Sequence, residues 1–178
     1  FFDNAAVETV APAPGSNTAS GGGLTVQDKC TGALDVPSVT PATVTIAHSE
    51  FRGNVSLPLT LQGRGGAIRS YSLADITISD TVIVDNHVVA PNPPAAGKTY
   101  SGGGMNVNAK SLRIERSEIS GNSAFDVTGG DVTRSGGLTL SHDAVDRQGP
   151  GDAMAVRIIN STISGNASSA TAGAILAN

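Results

Sequence analysis

Two pairs of carboxylates in this chain are candidates for acid and base catalysis. The pairs are Asp80 with Asp85 and Asp126 with Asp131. Enzymes that cleave glycosidic bonds use one carboxyl group as an acid and a second as a base or nucleophile. Binding pockets usually also contain aromatic side chains, and this chain has no Trp and only 2 Tyr. Polysaccharide cleavage with Asp80 and Asp85 as the catalytic pair is therefore the alternative hypothesis.

A second cluster, the segment Ser141-His142-Asp143-Ala144-Val145-Asp146, contains the residue types of a hydrolase triad. Adjacent residues of one loop do not form a triad, because a triad is assembled from separate elements around an oxyanion site. Asp143, Asp146 and Asp152 offer oxygen ligands for adventitious Ca²⁺, but their segment lacks the alternating spacing and the glycine of known calcium loops. No metal-ligand spacing relates the three histidines, which are His48, His87 and His142. We predict no catalytic residue and no cofactor.

The elements that position these residues belong to a short pattern that recurs and ends each time in an asparagine. The asparagines are Asn4, Asn54, Asn86, Asn122 and Asn166. A small hydroxyl precedes the asparagine at a fixed distance, as Ser49, Thr81, Ser117 and Ser161. An isoleucine stands further upstream, as Ile46, Ile78, Ile114 and Ile158. Side chains alternate between apolar and polar around each isoleucine, which predicts half-buried β-strands.

Glycine-rich pairs mark a second strand in each unit. They are Gly22-Gly23, Gly66-Ala67, Gly103-Gly104, Gly136-Gly137 and Gly173-Ala174. Such pairs permit either a positive φ or a close approach of two backbones. Arg113 and Arg157 occupy the same outward position in neighbouring units, where they form either a small anion-binding pair or, as we favour, part of a solvated strand face.

The asparagines are irregularly spaced, so the connections between strands vary while the strands themselves recur. Long insertions fall at 27–42, 87–100 and 141–155 and are rich in Pro, Gly, Asp and Ala. Repeats of this length with several strands each predict an all-β solenoid. Parallel strands stack roughly 4.8 Å apart, so about four to five coils make a body about 20 Å long. We predict one β-helix domain over 1–178, a segment of a longer solenoid with open coil ends.

The aligned positions also predict what holds the stack together. The isoleucines form an interior stripe, and the hydroxyls bond either to one another or to the backbone of the corner. Asparagine tolerates the left-handed conformation of a tight corner, and stacked amides form ladders between strands. We therefore interpret the asparagine, hydroxyl and isoleucine positions as structural.

Composition excludes several kinds of partner. The net charge is −4, and the 11 Lys and Arg residues are scattered singly, so no basic stripe is available for nucleic acid. No apolar run approaches the roughly 20 residues that a membrane-spanning helix needs. Cys30 is the only cysteine, which excludes an internal disulfide.

Three segments resemble the GGGI and NSTISGNSA repeats of bacterial polymorphic outer membrane proteins and autotransporter passengers. They are Ser101-Gly102-Gly103-Gly104-Met105, Ser117 through Ala124 (SEISGNSA) and Ser161 through Ser168 (STISGNAS). The resemblance implies a right-handed parallel β-helix and an exported or surface-displayed protein. It covers nearly the whole chain outside the insertions, but members of that broad group include adhesins and, more distantly, polysaccharide lyases and hydrolases.

We therefore expect a non-catalytic scaffold of the cell surface or extracellular space, associated with the outer membrane, that acts as an adhesin or as a filament subunit. Expected partners are other copies that stack on the open coil ends, and a surface glycan or host protein that binds the corner insertions. Asn54-Val55-Ser56, Asn160-Ser161-Thr162 and Asn166-Ala167-Ser168 match the N-glycosylation pattern. We interpret all three as by-products of the repeat's own asparagine and hydroxyl positions.

Overall fold

The computed structural model describes residues 1–7, 18–19, 21–27, 43–58, 62–71, 74–91, 99–126, 133–141 and 154–177. Within these ranges the protein is all-β and contains no helix, which confirms the predicted class. Accordingly, no helix in these ranges has the length and hydropathy of a membrane span.

The strands are short and follow one another in five repeat units. Unit 1 contains β1 (Ala5–Val7), β2 (Thr18–Ala19) and β3 (Leu24–Gln27). Unit 2 contains β4 (Thr43–Ala47), β5 (Glu50–Arg52), β6 (Val55–Leu57), β7 (Gln62–Gly63) and β8 (Ile68–Tyr71). Unit 3 contains β9 (Asp75–Ser79), β10 (Val82–Val84), β11 (His87–Val89), β12 (Tyr100–Ser101) and β13 (Met105–Asn108). Unit 4 contains β14 (Ser111–Glu115), β15 (Glu118–Ser120), β16 (Ser123–Phe125), β17 (Thr133–Arg134) and β18 (Leu138–Leu140). Unit 5 contains β19 (Ala155–Ile159), β20 (Thr162–Ser164), β21 (Ala167–Ser168) and β22 (Ile175–Ala177).

Each sheet is built from equivalent strands of successive units. Four long sheets have the orders β4-β9-β14-β19, β5-β10-β15-β20, β1-β6-β11-β16-β21 and β3-β8-β13-β18-β22, which we call sheets A, B, C and E. Two short pairs, β2-β7 and β12-β17, lie between sheets C and E in chain order and together take the letter D. All of these pairings are parallel and in register. The arrangement is consistent with the predicted β-solenoid.

The register stacks like side chain on like side chain in the main core. Ile46 pairs with Ile78, Ile78 with Ile114, and Ile114 with Ile158. Ile78 and Ile114 have no exposed surface, whereas Ile158, in the last described strand of sheet A, is 37% exposed. Each interior isoleucine is thus sealed by the units on both sides, as the stacked pattern requires.

A second, smaller apolar cluster lies between sheet C and the short strand β12. It contains Val88, Ala90, Tyr100 and Ala124, of which Val88, Tyr100 and Ala124 are completely buried. The insertion assigned to 87–100 is therefore narrower than expected. His87–Val89 form β11 and Tyr100 begins β12, because Val88 and Tyr100 gain an apolar environment there.

One end residue of each of the other two predicted insertions belongs to a strand. Gln27 is the last residue of β3, and Ala155 is the first residue of β19. The remaining insertion residues, 28–42, 92–98 and 142–153, lie outside the described ranges.

Candidate functional site

The repeated asparagines form a continuous amide ladder through the stack. Asn4, Asn54, Asn86 and Asn122 each donate from Nδ2 to Oδ1 of the asparagine in the following unit, over 2.8 to 2.9 Å. The same Oδ1 accepts the backbone N–H of the preceding asparagine over 2.9 to 3.2 Å. Asn54, Asn86 and Asn122 are fully buried. Their amides are thus saturated by neighbouring units, as buried polar groups require.

The backbone of the ladder residues differs from the sequence expectation. None of the ladder asparagines has a positive φ; the left-handed residue is the one immediately before each of them. These residues, with their φ angles, are Asp3 (50°), Gly53 (66°), Asp85 (54°), Gly121 (63°) and Gly165 (61°). The proposal that asparagine is selected for left-handed geometry is therefore wrong. Asparagine occurs here because its amide both donates and accepts across the unit boundary.

The hydroxyl positions bond to the backbone of the corner and not to one another. The side chains of Ser49, Thr81, Ser117 and Ser161 each donate to the carbonyl oxygen two residues earlier, over 2.7 to 2.9 Å. Two of the oxygens also accept a backbone N–H from the preceding unit: Thr81 N donates to Ser117 Oγ over 3.1 Å, and Ser117 N donates to Ser161 Oγ over 3.2 Å. Each of these hydroxyl groups thus donates its proton to a backbone carbonyl oxygen and not to a side-chain base, as an activated nucleophile would.

The corner between sheets A and B carries a row of polar side chains on left-handed residues. The row consists of His48 (φ 49°), Asp80 (φ 50°), Arg116 (φ 46°) and Asn160 (φ 48°). Arg116 binds Asp80 in the bidentate manner, with Nε to Oδ1 at 2.8 Å and Nη2 to Oδ2 at 2.7 Å. Arg116 Nη1 also lies 3.6 Å from Glu115 Oε2. The sequence could have indicated this pair, since opposite charges occupy one column in neighbouring units.

Arg116 also affects the pKa of Asp80. Its hydrogen bond to the carboxylate, together with its positive charge, lowers the pKa of Asp80 below the ordinary value. Asp80 is thus ionised at neutral pH. A general acid for glycoside cleavage requires the opposite, a carboxyl group whose pKa is raised.

The partner residue Asp85 is also held by an arginine. Its Oδ2 lies 3.2 Å from Nη1 of Arg52, and Nε of Arg52 lies 2.9 Å from Oε1 of Glu50. The side chain of Asp85 is 60% exposed. Both members of the predicted catalytic pair therefore belong to exterior ion pairs that join adjacent units. Such exposed ion pairs contribute little to the free energy of unfolding.

We expect replacement of Arg116 by Ala to raise the pKa of Asp80 toward its ordinary value. The pair stabilises the fold above the ordinary carboxyl pKa, and this contribution is lost as the pH falls through the lower folded-state pKa. NMR titration of the Asp80 carboxyl in wild type and Arg116→Ala measures the shift directly. Unchanged titration of Asp80 in the variant would contradict this account, and Arg134→Ala serves as a control for loss of an exposed arginine.

Three further sequence candidates, Asp126, Arg113 and Arg157, lie within the described ranges. Asp126 is 2% exposed, and its backbone N–H donates to Ser169 Oγ over 3.0 Å. Arg113 pairs with Arg157 in the register of sheet A, and the guanidinium of Arg113 binds Glu115 of its own strand. Cys30, Asp131, His142, Asp143, Asp146 and Asp152 lie outside the described ranges. Within those ranges, no three His, Cys, Asp or Glu side chains form a group that could hold a metal ion.

Comparisons with known protein families, curated proteins and solved structures find no match. The chain matches no protein-family model, and no curated protein and no solved structure is significantly similar to it. The resemblance to polymorphic outer membrane repeats thus remains a prediction.

Proposed function

We propose that this protein is a right-handed parallel β-helix that serves as a non-catalytic scaffold outside the cell or at the cell surface. The observation that carries the proposal is the use of the repeated polar side chains. The amides of Asn54, Asn86 and Asn122 are saturated by neighbouring units. Side chains committed to holding the stack together are not available to bind or transform a substrate.

The exterior ion pairs support the same proposal against the enzymatic alternative. Cleavage of a glycosidic bond needs one protonated carboxyl group and one ionised carboxylate around the bond. Asp80 is ionised and bidentate with Arg116, and Asp85 is paired with Arg52. Arg116 lowers the pKa of Asp80, whereas the acid of a glycosidase needs a raised pKa.

The scaffold is proposed to present the segments that connect its strands, where a surface glycan or a host protein binds in the manner of an adhesin. A filament role, in which copies stack end to end through parallel strands, is a second form of this proposal.

Turnover assays on acidic and neutral polysaccharides test the proposal. Lyase products are followed by the absorbance of the unsaturated sugar, and hydrolase products by new reducing ends. We expect no turnover by the wild-type chain. Turnover that disappears in the Asp80→Asn, Asp85→Asn double variant, with circular dichroism showing an intact fold, would replace the scaffold proposal by the enzymatic one. Thr45→Val, on the exposed face of sheet A, is the control.

A further inference from the structure

The three N-x-S/T segments of the repeat differ sharply in the accessibility of their asparagines. We propose that Asn160 is an acceptor for an N-linked sugar and that Asn54 and Asn166 are closed to this modification in the folded protein. Transfer requires access both to the asparagine amide and to the hydroxyl two residues later. These two groups can be compared at all three positions, and the inference does not depend on the scaffold proposal.

At Asn54, neither the amide nor the hydroxyl two residues later is accessible. Its side chain is fully buried, and Nδ2 donates to Phe1 O over 3.1 Å and to Asn86 Oδ1 over 2.8 Å. The hydroxyl two residues later belongs to Ser56, which has no exposed surface. A sugar on this amide would break the ladder between units 2 and 3.

Asn166 is also held in the ladder, although it is only partly buried. Its Nδ2 donates to Ile119 O over 2.8 Å, and its Oδ1 accepts from Asn122 N and Nδ2 over 3.0 and 2.9 Å. Its Cγ would lie 2.9 Å from a methyl group built on Gly137, so the amide is tightly packed against the backbone. The hydroxyl of Ser168 is engaged with Thr133 Oγ1 and the N–H of Ala170.

Asn160 presents both groups to solvent. It occupies the left-handed corner between β19 and β20, and its side chain is exposed. Of the equivalent residues in other units, His48 and Arg116 are exposed as well and Asp80 is half-buried, so this column faces outward. Thr162, which supplies the second hydroxyl, is exposed at the start of β20. Ser161 between them keeps its structural bond to Ile159 O at 2.8 Å.

The reaction needs an activated sugar as co-reactant, here a nucleoside diphosphate sugar. Nδ2 of Asn160 attacks the anomeric carbon, a carbon–nitrogen bond forms, and the bond from that carbon to the diphosphate oxygen breaks. The nucleoside diphosphate leaves with the bonding electron pair, and one amide proton passes to a base of the transferase. No oxidant or reductant takes part.

Incubation of the purified chain with a soluble N-glycosyltransferase and UDP-glucose tests the proposal, with peptide mass spectrometry as the readout. The folded chain is expected to gain one hexose, located on Asn160. A chain kept unfolded before the reaction is expected to gain hexose on Asn54 and Asn166 as well. Asn160→Asp and Thr162→Val are each expected to abolish the addition to the folded chain.

Three results would overturn the proposal: no hexose on the folded chain, hexose on Asn54 or Asn166 of the folded chain, or no additional sites after unfolding. The last result would show that local sequence, and not burial, selects Asn160. Ser164→Ala, an exposed hydroxyl outside the three segments, is the matched control and should leave the addition unchanged. These outcomes are distinct from those of the polysaccharide assays.

Discussion

Replacement of Asn86 by Asp is expected to lower the free energy of unfolding by about 4 kcal/mol at pH 7, a large part of the roughly 5 to 15 kcal/mol that stabilises an ordinary domain. The change is isosteric, so it alters hydrogen bonding and charge without creating a cavity. Asn86 is completely buried in the middle of the amide ladder. Urea unfolding followed by circular dichroism gives the difference.

The size of the effect follows from the acceptors that surround Nδ2 of Asn86. This nitrogen lies 3.0 Å from Phe51 O, 2.9 Å from Val84 O and 2.9 Å from Asn122 Oδ1. A carboxylate oxygen in its place faces three oxygens, donates no hydrogen bond and carries a buried charge. The opposite oxygen keeps its two bonds from Asn54, so the loss is confined to one side of the ladder.

The pH dependence provides a second readout of the Asn86→Asp variant. Burial among carbonyl oxygens raises the pKa of the introduced carboxyl group, and its protonated form regains one donor. The deficit relative to wild type should therefore shrink as the pH falls through that raised pKa. Asn160→Asp makes the same chemical change at an exposed left-handed corner, which Asp also tolerates, and should cost less than about 0.5 kcal/mol. Equal losses in the two variants would contradict a structural role of the ladder.

Much of the stack could be predicted from the sequence because parallel, in-register strands place equivalent residues of successive units in contact. Ile78 beside Ile114 and Asn86 beside Asn122 are direct consequences of that geometry. The left-handed positions were harder to predict. His48, Asp80, Arg116 and Asn160 share no residue type, since the corner fixes their backbone and leaves their side chains in solvent.

The second apolar cluster escaped prediction for a different reason. Tyr100 follows a segment rich in Pro and Ala, which predicts an insertion, yet it is buried beside Val88 and Ala124. The available signal was its position before Gly102-Gly103-Gly104, which matches that of Thr133 before Gly136-Gly137, and the two residues are register partners. The ion pair between Asp80 and Arg116 had a comparable signal in the alignment of opposite charges.

The glycine pairs give the second large prediction, in which Gly103→Ala destabilises the protein by about 3 kcal/mol or more. A methyl group built on Gly103 would lie 2.3 Å from Ser123 O, 2.4 Å from Ser123 C and 2.5 Å from Gly136 O. All three atoms belong to the backbone of unit 4, so no side-chain rotation relieves the overlap. The strands of sheets C and E would have to separate from the glycine turn.

Gly104→Ala is the matched control, one residue further along the same turn. Its methyl group would lie 2.8 Å from Gly137 O and 3.1 Å from Asn122 Cγ, and Ala67 and Ala174 already occupy the equivalent position in units 2 and 5. We expect this variant to lose only about 1 kcal/mol in urea unfolding. The first position is glycine in all five units, as Gly22, Gly66, Gly103, Gly136 and Gly173. If the two variants proved equally stable, close backbone approach could not be the reason for that invariance. The remaining explanation for a glycine at this position would be a positive φ, but in unit 3 the residue with positive φ is Gly102 and not Gly103.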